Sequence, residues 1–181
     1  MSLENNKLIL RAVEPEDLEV LYIWENMPSF WKTGNTRQPY SKFALKEYVS
    51  RINSNIYETG QLRLMMVAKE SGKTVGTVDL FDFDIHHSRV ALGLFVAPQH
   101  QGKGFAKAAL QLVESYVFNF LKINQLYCHI AASNKASINM FTKENFTKTK
   151  LTDWIKSESG FEDVFVFQQF IRDYRDKELS S

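Results

Sequence analysis

Apolar positions recur along this chain with two different periods, and the switches between them mark its elements. Residues 7–13, KLILRAV, form a short apolar run of strand character. The Glu14-Pro15-Glu16-Asp17 segment then supplies a helix start, with proline at the first helical position and acids in the first turn. The helix predicted there presents Leu18, Leu21, Trp24 and Met27 on one face, and Pro28, Gly34 and Pro39 end the pattern. A second helix is predicted from Ser41 to about Asn55, with Phe43, Ala44, Tyr48, Val49 and Ile52 at helical spacing. From Gln61 the period falls to two: QLRLMMVAK, the ESGK turn and TVGTVDLFDFDI predict an antiparallel hairpin.

A strand over Arg89 to Val96 runs into Ala97-Pro98 and the stretch QHQGKGFAKAAL. The helix that follows carries Phe105, Ala109, Leu112, Val113, Tyr116, Val117 and Phe120 on one face, the stripe of a long buried amphipathic helix. Gln125 to Ala131 predicts another strand, and Asn134 opens a short helix that ends near Asn145. Phe146 to Ile155 and Phe161 to Phe170 predict a last pair of strands around the SESG turn. The order βααβββαβαββ is that of a mixed α/β protein. The 181 residues suit one domain, 1–181, at roughly 150 residues per domain.

Charge narrows the partners. Lys+Arg total 22 against Asp+Glu 21, which excludes recognition of nucleic acid or a membrane surface by bulk charge. The balance is regional: Gly76 to His87 holds three aspartates and no Lys or Arg, whereas Gln99 to Lys107 holds two lysines and no acid. The single cysteine, Cys128, excludes an internal disulfide and suits a reducing compartment. No apolar run approaches the ~18 residues of a membrane span, and the N-terminal residues lack a signal-peptide core, so a cytoplasmic protein is expected. His86, His87, His100 and His129 show no metal-ligand spacing with Cys128, and no metal is expected.

The stretch Gln101-Gly102-Lys103-Gly104-Phe105-Ala106 carries the most chemistry. It joins a strand to a long helix, where consecutive backbone N–H groups and the helix dipole favour an anion such as a phosphate. Gly102 and Gly104 allow close backbone approach, Ala106 leaves the helix start open, and Lys103 or Lys107 adds charge. The GxxxxGK[ST] phosphate loop is absent, and a dinucleotide fingerprint fails because Lys107 stands where its last small residue is required.

With Gln101-x-x-Gly104-x-Ala106, the Asn134-Lys135-Ala136-Ser137 segment, Asn145-Phe146, the opening LRAVEPEDL and Gly160 to Asp163, the sequence resembles the GNAT superfamily of N-acetyltransferases over nearly its whole length. It looks most like the ribosomal-protein acetyltransferases RimJ and RimL and the spermidine N-acetyltransferases. The resemblance implies a mostly antiparallel central sheet with one splayed pair of strands, flanked by helices, and acetyl-CoA as cosubstrate. It places the pyrophosphate on Gln101, Gly102, Lys103, Gly104, Phe105, Ala106 and Lys107, and the pantetheine arm along Leu94, Phe95 and Val96, with a bulge at Gly93. Asn134 and Ser137 would close the other side, and Lys143 would reach the nucleotide. Dimers are common in such proteins, so a homodimer is open to this chain.

Amide formation from a thioester needs a neutral amine, a stabilised carbonyl oxygen and a proton for the leaving thiolate. Where many relatives have a tyrosine acid this chain has Phe141, and where they often have a glutamate base it has Ala91. The resemblance to the RimL-like proteins, which carry a serine in the NxxS motif, implies Ser137 for the acid role, against the plainer reading of a helix-start serine. Asp79 and Asp82 fall where spermidine acetyltransferases hold the polyamine; three residues apart, they share a sheet face only if the strand is irregular. Trp31 is a candidate to line the acceptor cleft. The expected function is acetyl transfer in a ternary complex to a protein N-terminus, a polyamine or another small amine. The alternative is a non-catalytic acyl-CoA-binding module.

Overall fold

A computed structural model describes residues 2–28, 38–52, 55–157 and 160–179. Strand β1 (Leu8–Ala12) leads through the turn Pro15–Asp17 into α1 (Leu18–Glu25), followed by α2 (Lys42–Ile52) and a short α3 (Ile56–Thr59). Strands β2 (Leu62–Ala68), β3 (Thr74–Asp84) and β4 (Arg89–Val96) come next, then α4 (Phe105–Ser115), β5 (Gln125–Ala131), α5 (Lys135–Lys143), β6 (Thr147–Ser157), β7 (Gly160–Phe170) and α6 (Ile171–Leu179).

Two helical features depart from the periodicity. The second predicted helix is described to Ile52, and Asn55 caps a separate short one: its Oδ1 accepts from the Tyr57 N–H at 3.0 Å. Helix α6 is not predicted, since IRDYRDKEL is mostly polar and offers few anchors. It docks through Tyr174, whose ring lies 5.1 Å from Phe118.

The strands form one seven-stranded sheet in the order β1-β2-β3-β4-β5-β7-β6. All neighbours are antiparallel except β4 and β5, which α4 joins by a crossover and which therefore run parallel. One sheet face packs on α4, α5 and α6 through Leu10, Leu64, Val78, Leu92, Leu110, Val113, Leu126, Phe141 and Tyr174. The other is covered by α1 and α2, with Leu21, Trp24 and Val49 against Val13, Met65 and Ala97. No helix among the described residues is long and apolar enough to cross a membrane.

Strands β4 and β5 pair only from Arg89 beside Gln125 to Ala91 beside Tyr127. Beyond that point β4 continues to Val96 and β5 to Ala131 without pairing, which leaves a cleft between them. The bulge expected at Gly93 is absent: β3 and β4 stay in register there, with Asp79 opposite Gly93. The cleft opens on the other edge of β4, and the irregularity falls instead between Phe81 and Asp84 of β3. Behind β4, a Cβ on Gly76 would stand 2.0 Å from the Phe95 carbonyl oxygen, so only glycine lets β3 lie this close to the cleft strand.

Candidate active site

The loop at the open end of the cleft gathers unpaired amides and lysines. Gly102 and Gly104 hold φ of +74° and +77°, which side chains other than glycine's resist, and Gly104 caps α4. The first helical bond runs from the Ala108 N–H to the Gly104 carbonyl at 3.1 Å. Among the described residues the amides of 102–107 have no backbone acceptor at this helix start. Gln101 donates its side-chain amide to the Val96 carbonyl at 3.1 Å, fastening the loop to the end of β4. Lys103 is exposed. Lys107 instead pairs with the buried Glu144 at 2.7 Å, an interaction that ties the first turn of α4 to the end of α5 and raises the lysine pKa. This set of amides and lysines has the chemistry a pyrophosphate requires.

Leu94, Phe95 and Val96 form the β4 edge of the cleft. Asn134 caps α5, its Oδ1 accepting from the Ser137 N–H at 3.1 Å. Capping therefore falls to Asn134, and among the described residues no hydrogen bond engages the Ser137 hydroxyl. Lys143 is exposed in the last turn of the same helix. Phe141 is buried, its ring edge-on to Phe146 at 5.0 Å and tilted against Phe167 at 5.8 Å, so it packs the core and has no proton to give.

Acids stand on β3, beside β4 and near its paired end. By register, Asp79, Phe81, Ala91 and Tyr127 share the face covered by α1 and α2. Asp79 is bound there by Arg63, which also holds Glu25 of α1 and lies over the Tyr48 ring at 5.2 Å. The two carboxylates hold the guanidinium firmly charged despite the burial that opposes it. Asp82 behaves differently. The register slips at this point, Asp82 takes φ +48°, and its exposed carboxylate lines a cavity of about 560 Å³ with Asp84, Arg89, His86 and Tyr127. Burial pushes the Tyr127 phenol up, Asp82 adds to the effect, and Arg89 opposes it. The irregularity that the spacing of Asp79 and Asp82 requires is thus present, yet only Asp82 reaches the cavity.

Sequence reasoning passed over Tyr127, although strand alternation with His129 would have placed both on one face; their rings meet edge-on at 5.7 Å. It also passed over Arg63 and Glu25, which no local pattern connects. Trp31 lies outside the described residues. Cys128 is on the opposite, helix-covered face, where burial pushes its thiol up to about 12 and keeps it unreactive.

The splayed parallel pair, with the glycine loop at one end, is matched by comparison: residues 7–147 fit the acetyltransferase (GNAT) domain family. The chain belongs to the GNAT acetyltransferases. In this family acetyl-CoA is the cosubstrate, so the chain is an acetyl-CoA-dependent acyltransferase. It is 27% identical over 147 residues to the spermidine N(1)-acetyltransferase of Vibrio cholerae, covering 80% of this chain and 81% of that protein. It is 28% identical over 174 residues to the uncharacterized N-acetyltransferase p20 of Bacillus licheniformis, covering 96% and 98%. The crystal structure of the V. cholerae spermidine N-acetyltransferase in complex with CoA and spermine superposes with a TM-score of 0.83 at 24% identity, over 94% of this chain and 99% of that one. That likeness establishes the GNAT fold, a seven-stranded sheet flanked by helices.

Proposed function

We propose that this GNAT enzyme transfers acetyl from acetyl-CoA directly to a primary amine of a small polycationic acceptor, a polyamine in preference to a peptide N-terminus, within a ternary complex. The observation that carries this reading is the arrangement of charge about β4 and β5, with an amide-and-lysine loop beyond their splayed ends and an open depression lined by Asp82, Asp84 and Tyr127 at their paired end. Relatives that act on spermidine agree with it.

In this reading the pyrophosphate rests on the amides of Gly102, Lys103, Gly104, Phe105, Ala106 and Lys107, while Gln101 braces the loop. The pantetheine arm follows Leu94, Phe95 and Val96, with Asn134 and Ser137 across the cleft and Lys143 toward the nucleotide. Asp82 receives an acceptor ammonium, and Tyr127, kept protonated, offers a hydrogen bond beside it. A second amine of the same molecule, neutral when it reacts, attacks the thioester carbonyl carbon; the C–N bond forms as the C–S bond breaks, and the proton the nitrogen gives up passes through the Ser137 hydroxyl to the departing thiolate, which leaves as the thiol of CoA. Positioning of the two substrates supplies much of the acceleration.

Acetyl-CoA turnover against spermidine, spermine, free amino acids and N-terminal peptides tests the acceptor. The expected result is the highest kcat/KM with a polyamine; turnover confined to peptides overturns that choice. Gly104→Glu puts a carboxylate among the loop amides and is expected to abolish acetyl-CoA binding while the circular dichroism spectrum is retained. Unchanged binding in that folded variant overturns the loop assignment.

A further inference from the structure

The residue before β1, far from the loop in sequence, brings a charge to the same place. Lys7 is fixed at its backbone: its N–H donates to Asn5 Oδ1 at 2.9 Å, and its carbonyl accepts from the Lys69 N–H at 3.0 Å. Asn5 in turn donates its side-chain amide to the Ala108 carbonyl at 3.0 Å, strapping this turn to the start of α4. From this base the Lys7 side chain extends to the loop. Its Nζ lies 3.3 Å from where a Cβ on Gly104 would stand and 5.7 Å from the centroid of the Phe105 ring.

An ammonium here is electrostatically misplaced in the free protein. The helix start carries positive dipole, and like charge close to it is unfavourable. Gln99 to Lys107 holds lysines and no acid. Of Lys7, Lys103 and Lys107, only Lys107 has a carboxylate partner among the described residues, Glu144. The positive charge left beside exposed amides is balanced once a dianion lies on them.

We propose that Lys7, reaching over Gly104 from the turn before β1, is a pyrophosphate-binding residue of the acetyl-CoA site. This rests on the loop reading given above. Lys7 approaches from the β1 side and adds a charge-assisted hydrogen bond to those of the amides. A Cβ on residue 104 would meet the ammonium at 3.3 Å, which the flexible lysine relieves by a small shift; it is φ of +77° that calls for glycine there.

The test compares Lys7→Gln with the unaltered chain, using CoA and 3′-dephospho-CoA as ligands and calorimetric Kd as the measurement. Lys7→Gln is expected to weaken both ligands equally, by about ten- to a hundredfold for loss of one charged contact, with the melting temperature of the ligand-free protein unchanged or higher. Lys7→Arg is expected to keep most of the affinity. Unchanged Kd for both ligands overturns the inference, and so does a loss confined to CoA, which would move the contact to the 3′-phosphate. Gly104→Glu separates this from the underlying reading: if Gly104→Glu loses CoA binding and Lys7→Gln does not, the loop stands and the role of Lys7 falls.

Discussion

Asp79 and Asp82 stand three residues apart on the same strand with opposite surroundings. Asp79 spends its carboxylate on Arg63, whereas Asp82, turned by φ +48°, offers its own to the cavity. Asparagine tolerates that backbone conformation as aspartate does, so Asp82→Asn removes charge without strain. It is expected to raise the KM for a polyamine about tenfold, the loss of one charge-assisted contact, with little change in melting temperature. Asp79→Asn is expected to do the reverse, lowering thermal stability and leaving the polyamine KM within about twofold, because its work is inside the ion cluster. Equal effects of both variants on KM would sink the distinction. The sequence put both acids near the acceptor, but it could not separate them, since side-chain direction at an irregular strand position follows from pairing with β4.

The first turn after β1 shows how far an element is written locally. Pro15 and the acids of residues 14–17 predict a helix start, and the structure has one: the Glu14 N–H donates to Asp17 Oδ2 at 2.9 Å, and Arg11 of β1 grips both carboxylate oxygens at 2.6 and 2.8 Å. Burial alone would raise the Asp17 pKa, but the Arg11 fork and the Glu14 N–H outweigh it and hold the carboxyl below its ordinary value. A group depressed in the folded state stabilises the protein above its unfolded pKa, and that contribution is lost as pH falls through the folded one. The melting temperature is therefore expected to fall on acidification below about pH 4, the ordinary carboxylate range. In Asp17→Asn it should start lower at pH 7 and fall less steeply. An unchanged acid limb would remove Asp17 from the account. Elements whose signals are local were legible in this way, β4 and β5 to the residue. Helix α6 was not, because its hold comes from Tyr174 meeting Phe118 across the chain.

At the scale of the molecule, the cluster of Glu25, Arg63 and Asp79 joins α1, β2 and β3 on the face opposite α4. The Arg63 and Glu25 side chains are 11% and 9% exposed, so removing the cation leaves carboxylates with little water to replace it. Arg63→Met is expected to cost about 3–5 kcal/mol in urea unfolding, as for other broken buried pairs. The triple variant with Glu25→Gln and Asp79→Asn should recover most of that. Failure of the triple variant to recover any would show that Arg63 packs rather than pairs.

The sequence by itself determined the seven strands, most of the helices between them, the glycine loop and the family, because each rests on residues adjacent in the chain: an alternating run, a cap, or paired glycines before a helix. Only the tertiary structure decided how far apart β4 and β5 stand, which of two aspartates faces the cavity, and that Lys7 reaches the loop it precedes by almost a hundred positions (Lys7 to Gly104). Those facts depend on register and on packing between distant segments, and local periodicity carries no record of either.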